Sequence, residues 1–530
     1  MKQSKRLLAS QTIIYPKRKA SELVGMKISA DNFREKTQGA EITSAIIKTS
    51  ATDTTKQYVK VMGYIHPVDI QAPDIGWEML LPLQWNGRSL QMGGGANNGQ
   101  IPQLEKESVM SSSIPIDRGY VVYGSDSGHQ SESPMDADFA VNEEALQNYI
   151  RLQLIKMQDA MKCVVSMFYG MEPVLNYFAG GSTGGREALE CATTYGAYYD
   201  GIFCCEPSSN YVLLRMWGAI LSQAVYDSYN ASTYPYSDGF IDEEVLFGIQ
   251  QDAIERYDEL DGIKDGIISN VYAARADRDN FIEYITKKYH LTKAQLKTID
   301  IYERGFKLDY SMVNGMSSYH GCCALEGGLM DLGPDPIPRE PLDTAYNVHH
   351  GDRADGIFKY FIARDKNWKL IKHDYYNPDD TLYKMLMDAS LKYDANRPEF
   401  DEFISHNGKM IFLAGWSDMS ISPWQLIQQY ISYKNKYGQE ILDSFLKFYV
   451  MPSVTHCNGI QMDYLTWLDI WCTTGEYPKE TLYASIQKTG GKMPMAPFPG
   501  WIKYDGGNPL NGESYSISYD IPTGFWEKYD

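Results

Sequence analysis

The sequence predicts an α/β fold built on a mostly parallel sheet and interrupted by one long insertion. Three observations predict it. Strand-like and helix-like patterns alternate through residues 1–210, the rhythm is lost across 211–400, and it returns in 401–530. The expected organisation is therefore one discontinuous domain, 1–210 with 401–530, carrying an inserted domain at 211–400.

Taken in order, Trp77–Pro82 and Ser89–Met92 read as strands. Between them Trp85-Asn86-Gly87-Arg88 reads as a tight hairpin turn, because Asn-Gly supplies the positive φ such a turn needs. A third strand, Tyr120–Tyr123, leads into the loop Gly124–His129. Ile150, Leu154, Met157, Met161, Val164, Val165 and Phe168 fall at three- and four-residue steps, the signature of an amphipathic helix, and Gly170 and Pro173 end it. The short strand Val174–Phe178 then meets Ala179-Gly180-Gly181-Ser182-Thr183-Gly184-Gly185, and a helix opens at Arg186-Glu187-Ala188-Leu189. The insertion is rich in Tyr, Asp and Gly, contains Pro334-Asp335-Pro336-Ile337-Pro338, and shows no strand of the buried parallel type. Regularity resumes with the strand Lys409–Ala414, a helix from Trp424 to Tyr433, and the strand Leu446–Met451.

Composition excludes several classes. Hydrophobic residues at 43% and charged residues at 22% suit a folded chain with a large core rather than a disordered one. A net charge of −19 without a basic cluster would repel phosphate backbones, so nucleic acid is excluded as a partner. No run of apolar residues is long enough to span a bilayer, so no membrane partner is expected. Met1–Ser10 starts with charge, but its apolar stretch Leu7-Leu8-Ala9 is shorter than the roughly 7–15 residues of a secretory segment. The eight cysteines show no CxxC or His-rich spacing, so they read as reduced thiols rather than zinc ligands. Both features favour a cytoplasmic protein, and a secreted one is the alternative if a leader was removed from this chain.

Gly180-Gly181-Ser182-Thr183-Gly184 fits G-x-S-x-G between a strand and a helix. Glycines suit it because a serine on a sharp strand-to-helix turn sits on strained backbone, where flanking side chains would collide. A structural glycine-rich turn, or a phosphate site at the helix N-terminus, would use the same residues. No Walker lysine or GxGxxG register supports the phosphate reading.

A nucleophilic serine needs a base and an orienting acid, and in this type of fold they follow it in the order acid, then histidine. Asp418, just past the strand Lys409–Ala414, and His456, just past Leu446–Met451, satisfy that order at strand C-terminal ends. Among the nine histidines, His129 also follows a core strand, but no suitable acid precedes it. The oxyanion would take one amide from Thr183 and a second from the loop Gly93–Gly99, at Gly94 or Gly95. In the insertion, Asp258–Ile268 packs carboxylates around two turn glycines, a pattern suited to Ca²⁺ or to a solvated acidic turn.

These stretches together resemble the tannase and feruloyl esterase family, which also includes an esterase acting on a terephthalate monoester. Trp77–Asn98, Tyr177–Glu187 with Asp200-Gly201-Ile202 and Glu206-Pro207, Gly415–Pro423 and Met451–Gly459 carry the resemblance in the family's order, and Asp258–Ile268 resembles its calcium loop. The resemblance implies an α/β-hydrolase core with a calcium-structured lid inserted between the strands bearing Ser182 and Asp418. It further implies Ser182 as nucleophile, Asp418 as orienting acid and His456 as base. Asp258, Asp261 and Asp265 would bind calcium through side chains, and Ile263 and Ile267 through carbonyls. No organic cofactor is implied. The implied substrate is a small aromatic ester, of gallate or of ferulate or a related hydroxycinnamate, with Phe358, Tyr360, Phe361 and Trp368 available to stack on its ring.

The departures from the family pattern all involve cysteine. Gly181 replaces the cysteine that usually precedes the serine and bridges the one after the histidine, here Cys457. Tyr257 and Ala496 stand at two further positions that are usually cysteine. A rival reading of the whole chain is a catalytically inactive, calcium-stabilised protein that binds aromatic ligands in the same cleft.

Overall fold

Strands without alternation belong where both faces are covered, and the centre of the sheet is built from such strands. The computed structural model describes residues 12–226, 238–333 and 349–526; Met1–Ser10 and Pro334–Pro338 lie outside these residues. One ten-stranded sheet organises the chain. Its strands are β1 (Lys27–Ile28), β2 (Ala40–Thr49), β3 (Gln57–Ile65), β4 (Ile75–Pro82), β5 (Arg88–Met92), β6 (Val121–Ser125), β7 (Leu175–Gly181), β8 (Gly201–Cys205), β9 (Lys409–Gly415) and β10 (Leu446–Met451). The spatial order is β1-β2-β3-β4-β6-β5-β7-β8-β9-β10. From β6 onward all neighbours are parallel, whereas β1 to β4 and the β4–β6 pair are antiparallel.

The expected hairpin between β4 and β5 does not form, because β6 lies between them: Leu80 pairs with Val122, and Val122 with Leu90. Gly87 does adopt the predicted positive φ, +79°. Its turn is held instead by neighbouring strand ends, with Asn86 N–H donating to the Gly119 carbonyl and Val174 N–H to that of Gly87. The connection 83–87 crosses one strand, a step of about 10 Å, which five residues span easily.

Two helical layers cover the sheet. Helix α1 (Gln153–Tyr169) buries Met157, Met161, Val164, Val165 and Phe168 against Met79 and Tyr123. Helix α2 (Thr183–Thr193) packs on β7 and β8. Opposite them, Phe203, Cys205, Ile411 and Leu413 share a core with Tyr464, Leu465 and Leu468. The chain leaves the sheet at Cys205 and returns on the adjacent strand, since Gly201 of β8 pairs with Lys409 of β9. Among the described residues between those strands are α3 (Tyr211–Tyr226), α4 (Glu243–Tyr257) and α5 (His349–Ile357), with two short strands, Phe306–Lys307 and Ser318–Tyr319. Helix α5 rests on α3 so closely that a Cβ at Gly218 would come within 2.3 Å of the His350 carbonyl oxygen. Helix α6 (Pro423–Tyr437) follows β9, with Ser422 accepting the Gln425 N–H as its N-cap.

Candidate active site

Four strand ends meet at one edge of the sheet and deliver the chemistry. At the end of β7, Ser182 is held at φ +58°, ψ −117°, backbone that a non-glycine residue adopts only where its surroundings force it. The forcing contacts are visible. Ser182 N–H donates to the Cys205 carbonyl, and the Ser182 carbonyl accepts from Arg186 and Ser208. A Cβ at Gly180 would lie 2.3 Å from the Gly184 carbonyl oxygen, and one at Gly184 would lie 2.8 Å from the Gly94 oxygen, so the glycines of the motif are steric requirements. Helix α2 begins at Thr183, three residues earlier than the sequence pattern indicates, which places Ser182 at its N-terminus.

Asp418, just past β9, is fully buried, and its Oδ1 accepts the Ser420 and Ile421 amides at 2.7 and 3.1 Å. His456 Nδ1 lies 3.0 Å from Asp418 Oδ2 and 3.2 Å from Oδ1. Burial disfavours the imidazolium, but the charge and hydrogen bond of Asp418 outweigh it and push the His456 pKa up to about 9. With Nδ1 engaged, Nε2 is the nitrogen left for a proton transfer. Ser182 and His456 line the same cavity of about 380 Å³, whose walls include Met92, Val109, Met135 and Leu214.

The oxyanion candidates separate. Gly94 N–H donates to Glu187 Oε2 at 3.0 Å, so that amide is engaged inside the fold. The Gly95 and Thr183 amides have no acceptor among the described residues, and both residues line the cavity. The geometry favours Thr183 with Gly95 over Thr183 with Gly94. His129 is remote in role: buried and stacked on Phe139 at 3.5 Å, it is driven down to about 4 by desolvation and meets the Asn97 carbonyl.

Glu206, at the end of β8, is a site residue that the sequence reasoning left without a role. Its Oε2 lies 3.8 Å from His456 Nδ1 and accepts the Cys457 N–H. Burial first, and then the proximity of Asp418, hold its carboxyl well above the usual range. An acid just past a buried strand was the available signal. Cys457 is unbridged, as are all eight cysteines. A Cβ at Gly181 would sit 2.5 Å from Cys457 Sγ, so the position that resembles a bridging cysteine does face it. The Cys205 thiol is close by: its Sγ, a Glu206 oxygen and Cys457 Sγ all lie within 4.8 Å of one another.

The aromatic residues expected at the substrate are not in this cavity. Phe358 and Phe361 are buried in the main hydrophobic core, Phe361 edge-on to Tyr149 and Phe139, and Tyr360 and Trp368 pack against the same core. Their role is packing.

In the acidic loop, each of the three aspartates accepts from a backbone amide. Asp258 accepts the Gly266 N–H at 2.9 Å, Asp261 accepts those of Ile263 and Ser269 at 3.2 and 3.0 Å, and Asp265 accepts that of Ile267 at 2.9 Å. Asp265 Oδ2 is buried without a partner, and burial raises Asp261 to about 7. Unpartnered buried carboxylate oxygen suits a hard cation. The three side chains are less tightly gathered than the Glu206–Asp418–His456 group, whose ligand atoms lie within 4.8 Å of one another.

A serine elbow, a strand-end Asp–His pair and a cavity between them, all at one edge of this sheet, define an α/β-hydrolase of the esterase class. Residues 59–517 match the family described as Tannase and feruloyl esterase, and the chain belongs to it. It is a carboxylic ester hydrolase. An uncharacterized esterase of Agrobacterium fabrum is 34% identical over 94% of this chain and 93% of its own. Two solved structures share the fold: feruloyl esterase B from Aspergillus oryzae, with TM-score 0.71, 18% identity and coverage of 90% of this chain and 97% of that one, and tannin acyl hydrolase from Aspergillus niger, with TM-score 0.62, 17% identity and coverage of 92% and 93%.

Proposed function

We propose that the chain cleaves esters of phenolic acids through an acyl-enzyme on Ser182. The observation that carries this reading is the convergence of strained Ser182 and the Asp418-bound His456 on one cavity. His456 Nε2 takes the Ser182 proton as Oγ attacks the ester carbonyl, and the amides of Thr183 and Gly95 hold the oxyanion. The protonated imidazole, stabilised by Asp418, gives its proton to the departing alkoxide. Water then repeats the sequence on the acyl group and releases the acid. Glu206 holds the His456–Cys457 turn in place through the Cys457 amide.

Family membership supports the aromatic acid, with gallate and ferulate esters as first candidates, and the apolar walls Met92, Val109, Met135 and Leu214 suit a ring. A calcium ion held by Asp258, Asp261 and Asp265, with the Ile263 and Ile267 carbonyls, would neutralise the loop's charge and fix its fold. The compartment favoured by the missing cysteines at positions 181, 257 and 496 is the cytoplasm, with secretion as the alternative.

Ser182→Ala should lower kcat by roughly four or more orders of magnitude while leaving the folded structure intact. Methyl gallate, methyl ferulate and methyl butyrate, assayed side by side with the parent enzyme, test the acid. A strong preference for the butyrate would overturn the phenolic reading, and full activity in Ser182→Ala would overturn the mechanism.

A further inference from the structure

A second Asp–His–Ser chain stands beside Asp418 and His456. His349, at the start of α5, places Nδ1 3.1 Å from Asp331 Oδ2 and Nε2 3.4 Å from Ser420 Oγ. Asp331 also accepts the Gly333 amide at 2.8 Å, and the His349 hydrogen bond, the largest influence on it, holds its carboxyl below the usual range. An ionised Asp331 can only accept, so it fixes the His349 proton on Nδ1 and leaves Nε2 bare. Bare Nε2 takes the Ser420 hydroxyl hydrogen. The lone pairs of Ser420 Oγ are then left for a donor in the cavity.

The place of Ser420 decides which donor that is. Its amide donates to Asp418 Oδ1 at 2.7 Å, and the same oxygen lies 3.2 Å from His456 Nδ1, so one carboxylate oxygen joins the two residues. A second cavity, of about 470 Å³, adjoins the one over Ser182, and its walls include Gln250, Ser417, Thr455 and Asn458. Only three of the described residues line both cavities: Arg353, Ser420 and His456. Ser182 lines the first alone. An acyl group on Ser182 therefore belongs to the first cavity, and the junction is where the alcohol leaves and water arrives, since His456 Nε2 must meet both.

Water brings two hydrogens to that junction. His456 Nε2 takes one, and the other needs an acceptor. Arg353 has donors only. Thr183 gives its hydroxyl to the Ala96 carbonyl, and Ser208 lines only the first cavity. Ser420 Oγ is the side-chain acceptor that remains.

We propose that Ser420, oriented by His349 and Asp331, accepts a hydrogen bond from the hydrolytic water and holds it for attack on the acyl-enzyme. This deepens the acyl-enzyme reading and rests on it. The water oxygen bonds to the acyl carbon while His456 Nε2 takes one proton. Collapse breaks the bond to Ser182 Oγ, which receives that proton from His456, and the acid departs with the second hydrogen, which Ser420 has held but never taken. Ser420 touches the reacting water and is a catalytic residue, whereas His349 and Asp331 act through it and are positioning residues.

An alcohol acceptor has no second hydrogen to give, so competition between methanol and water isolates the role. The substrate is p-nitrophenyl ferulate, or p-nitrophenyl butyrate should the ferulate be refused, and the initial ratio of methyl ester to free acid is read at one methanol concentration. Ser420→Ala should raise that ratio roughly 3- to 10-fold, the range of one hydrogen bond, and should slow the steady state rather than the p-nitrophenol burst. Ser420→Thr returns the hydroxyl in a larger side chain and should bring the ratio back to within about twofold of the parent, which separates a lost acceptor from added space. Asp331→Asn can donate to Nδ1 and reverse the His349 tautomer, and should raise the ratio in the same direction. An unchanged ratio in Ser420→Ala would overturn the proposal and leave the esterase reading standing. So would a burst and a steady state slowed by one factor, since that is the behaviour of a structural residue. If the parent enzyme cleaves neither p-nitrophenyl ester, the esterase reading fails and this proposal fails with it.

Discussion

His456 is pulled in two directions, and the balance has kinetic consequences. Desolvation opposes its charged form, Asp418 favours it, Cys457 adds to the pull of Asp418, and Arg353 opposes it. The net result is a folded-state pKa of about 9 against an ordinary 6.5. Because the folded value is the higher one, the stability this group contributes is fully present below pH 6.5 and is lost as pH rises through about 9. The proposed mechanism needs the neutral imidazole, so kcat/KM, which reports the free enzyme, should climb with pH along a limb whose midpoint lies above 6.5 and toward 9. Asp418→Asn should move that midpoint below 6.5, because burial then acts without its counterweight, and should cut kcat by roughly 10⁴-fold. A parent-enzyme midpoint below 6.5 would show that Asp418 does not control this histidine.

At the scale of elements, the acidic loop offers the sharpest test. Its 3₁₀ turn Asp258–Asp261 ends at Gly262, φ +101°, and Asp258 reaches across to the Gly266 amide, so the loop is already folded around its carboxylates. If calcium completes it, a chelator should lower the melting temperature and added Ca²⁺ should restore it, with Mg²⁺ a poor substitute. At a free concentration 100 times Kd the ion would contribute about 2.7 kcal/mol. Identical melting curves in chelator and in excess Ca²⁺ would remove calcium from the account. Much at this scale was legible in the chain. The Ser182 elbow, the helix of Ile150–Phe168 and the strands before Asp418 and His456 are local patterns, written in neighbouring residues. What escaped is nonlocal or half-exposed. Strands β2 and β3 have solvent-facing positions such as Ile46, Ile47, Met62 and Tyr64, all exposed, which blur the alternation that would mark them. Nothing near Asn86-Gly87 announces that β6 will lie between β4 and β5. Glu206, His349 and Arg353 reach the site from distant parts of the chain, so their convergence cannot be read from spacing.

For the whole molecule, the state of the thiols decides how the site is held together. None of the eight cysteines is bridged, and position 181, which faces Cys457, carries no sulfur. The site's geometry therefore rests on the sheet, the Glu206–Cys457 hydrogen bond and the packing of α2, not on a covalent tie. A reductant should change neither activity nor melting temperature, and alkylation of the unreduced, denatured protein should modify all eight cysteines. Fewer than eight would reveal a bridge and count against both the unbridged site and the cytoplasmic reading. The central claim is that Ser182 is an activated nucleophile, and the most direct measurement is fluorophosphonate labelling followed by peptide mapping. Stoichiometric label on Ser182, absent from Ser182→Ala and slowed in Asp418→Asn, is the predicted result. A folded parent enzyme that takes up no label, or that carries it on another residue while Ser182→Ala still hydrolyses esters, would contradict it.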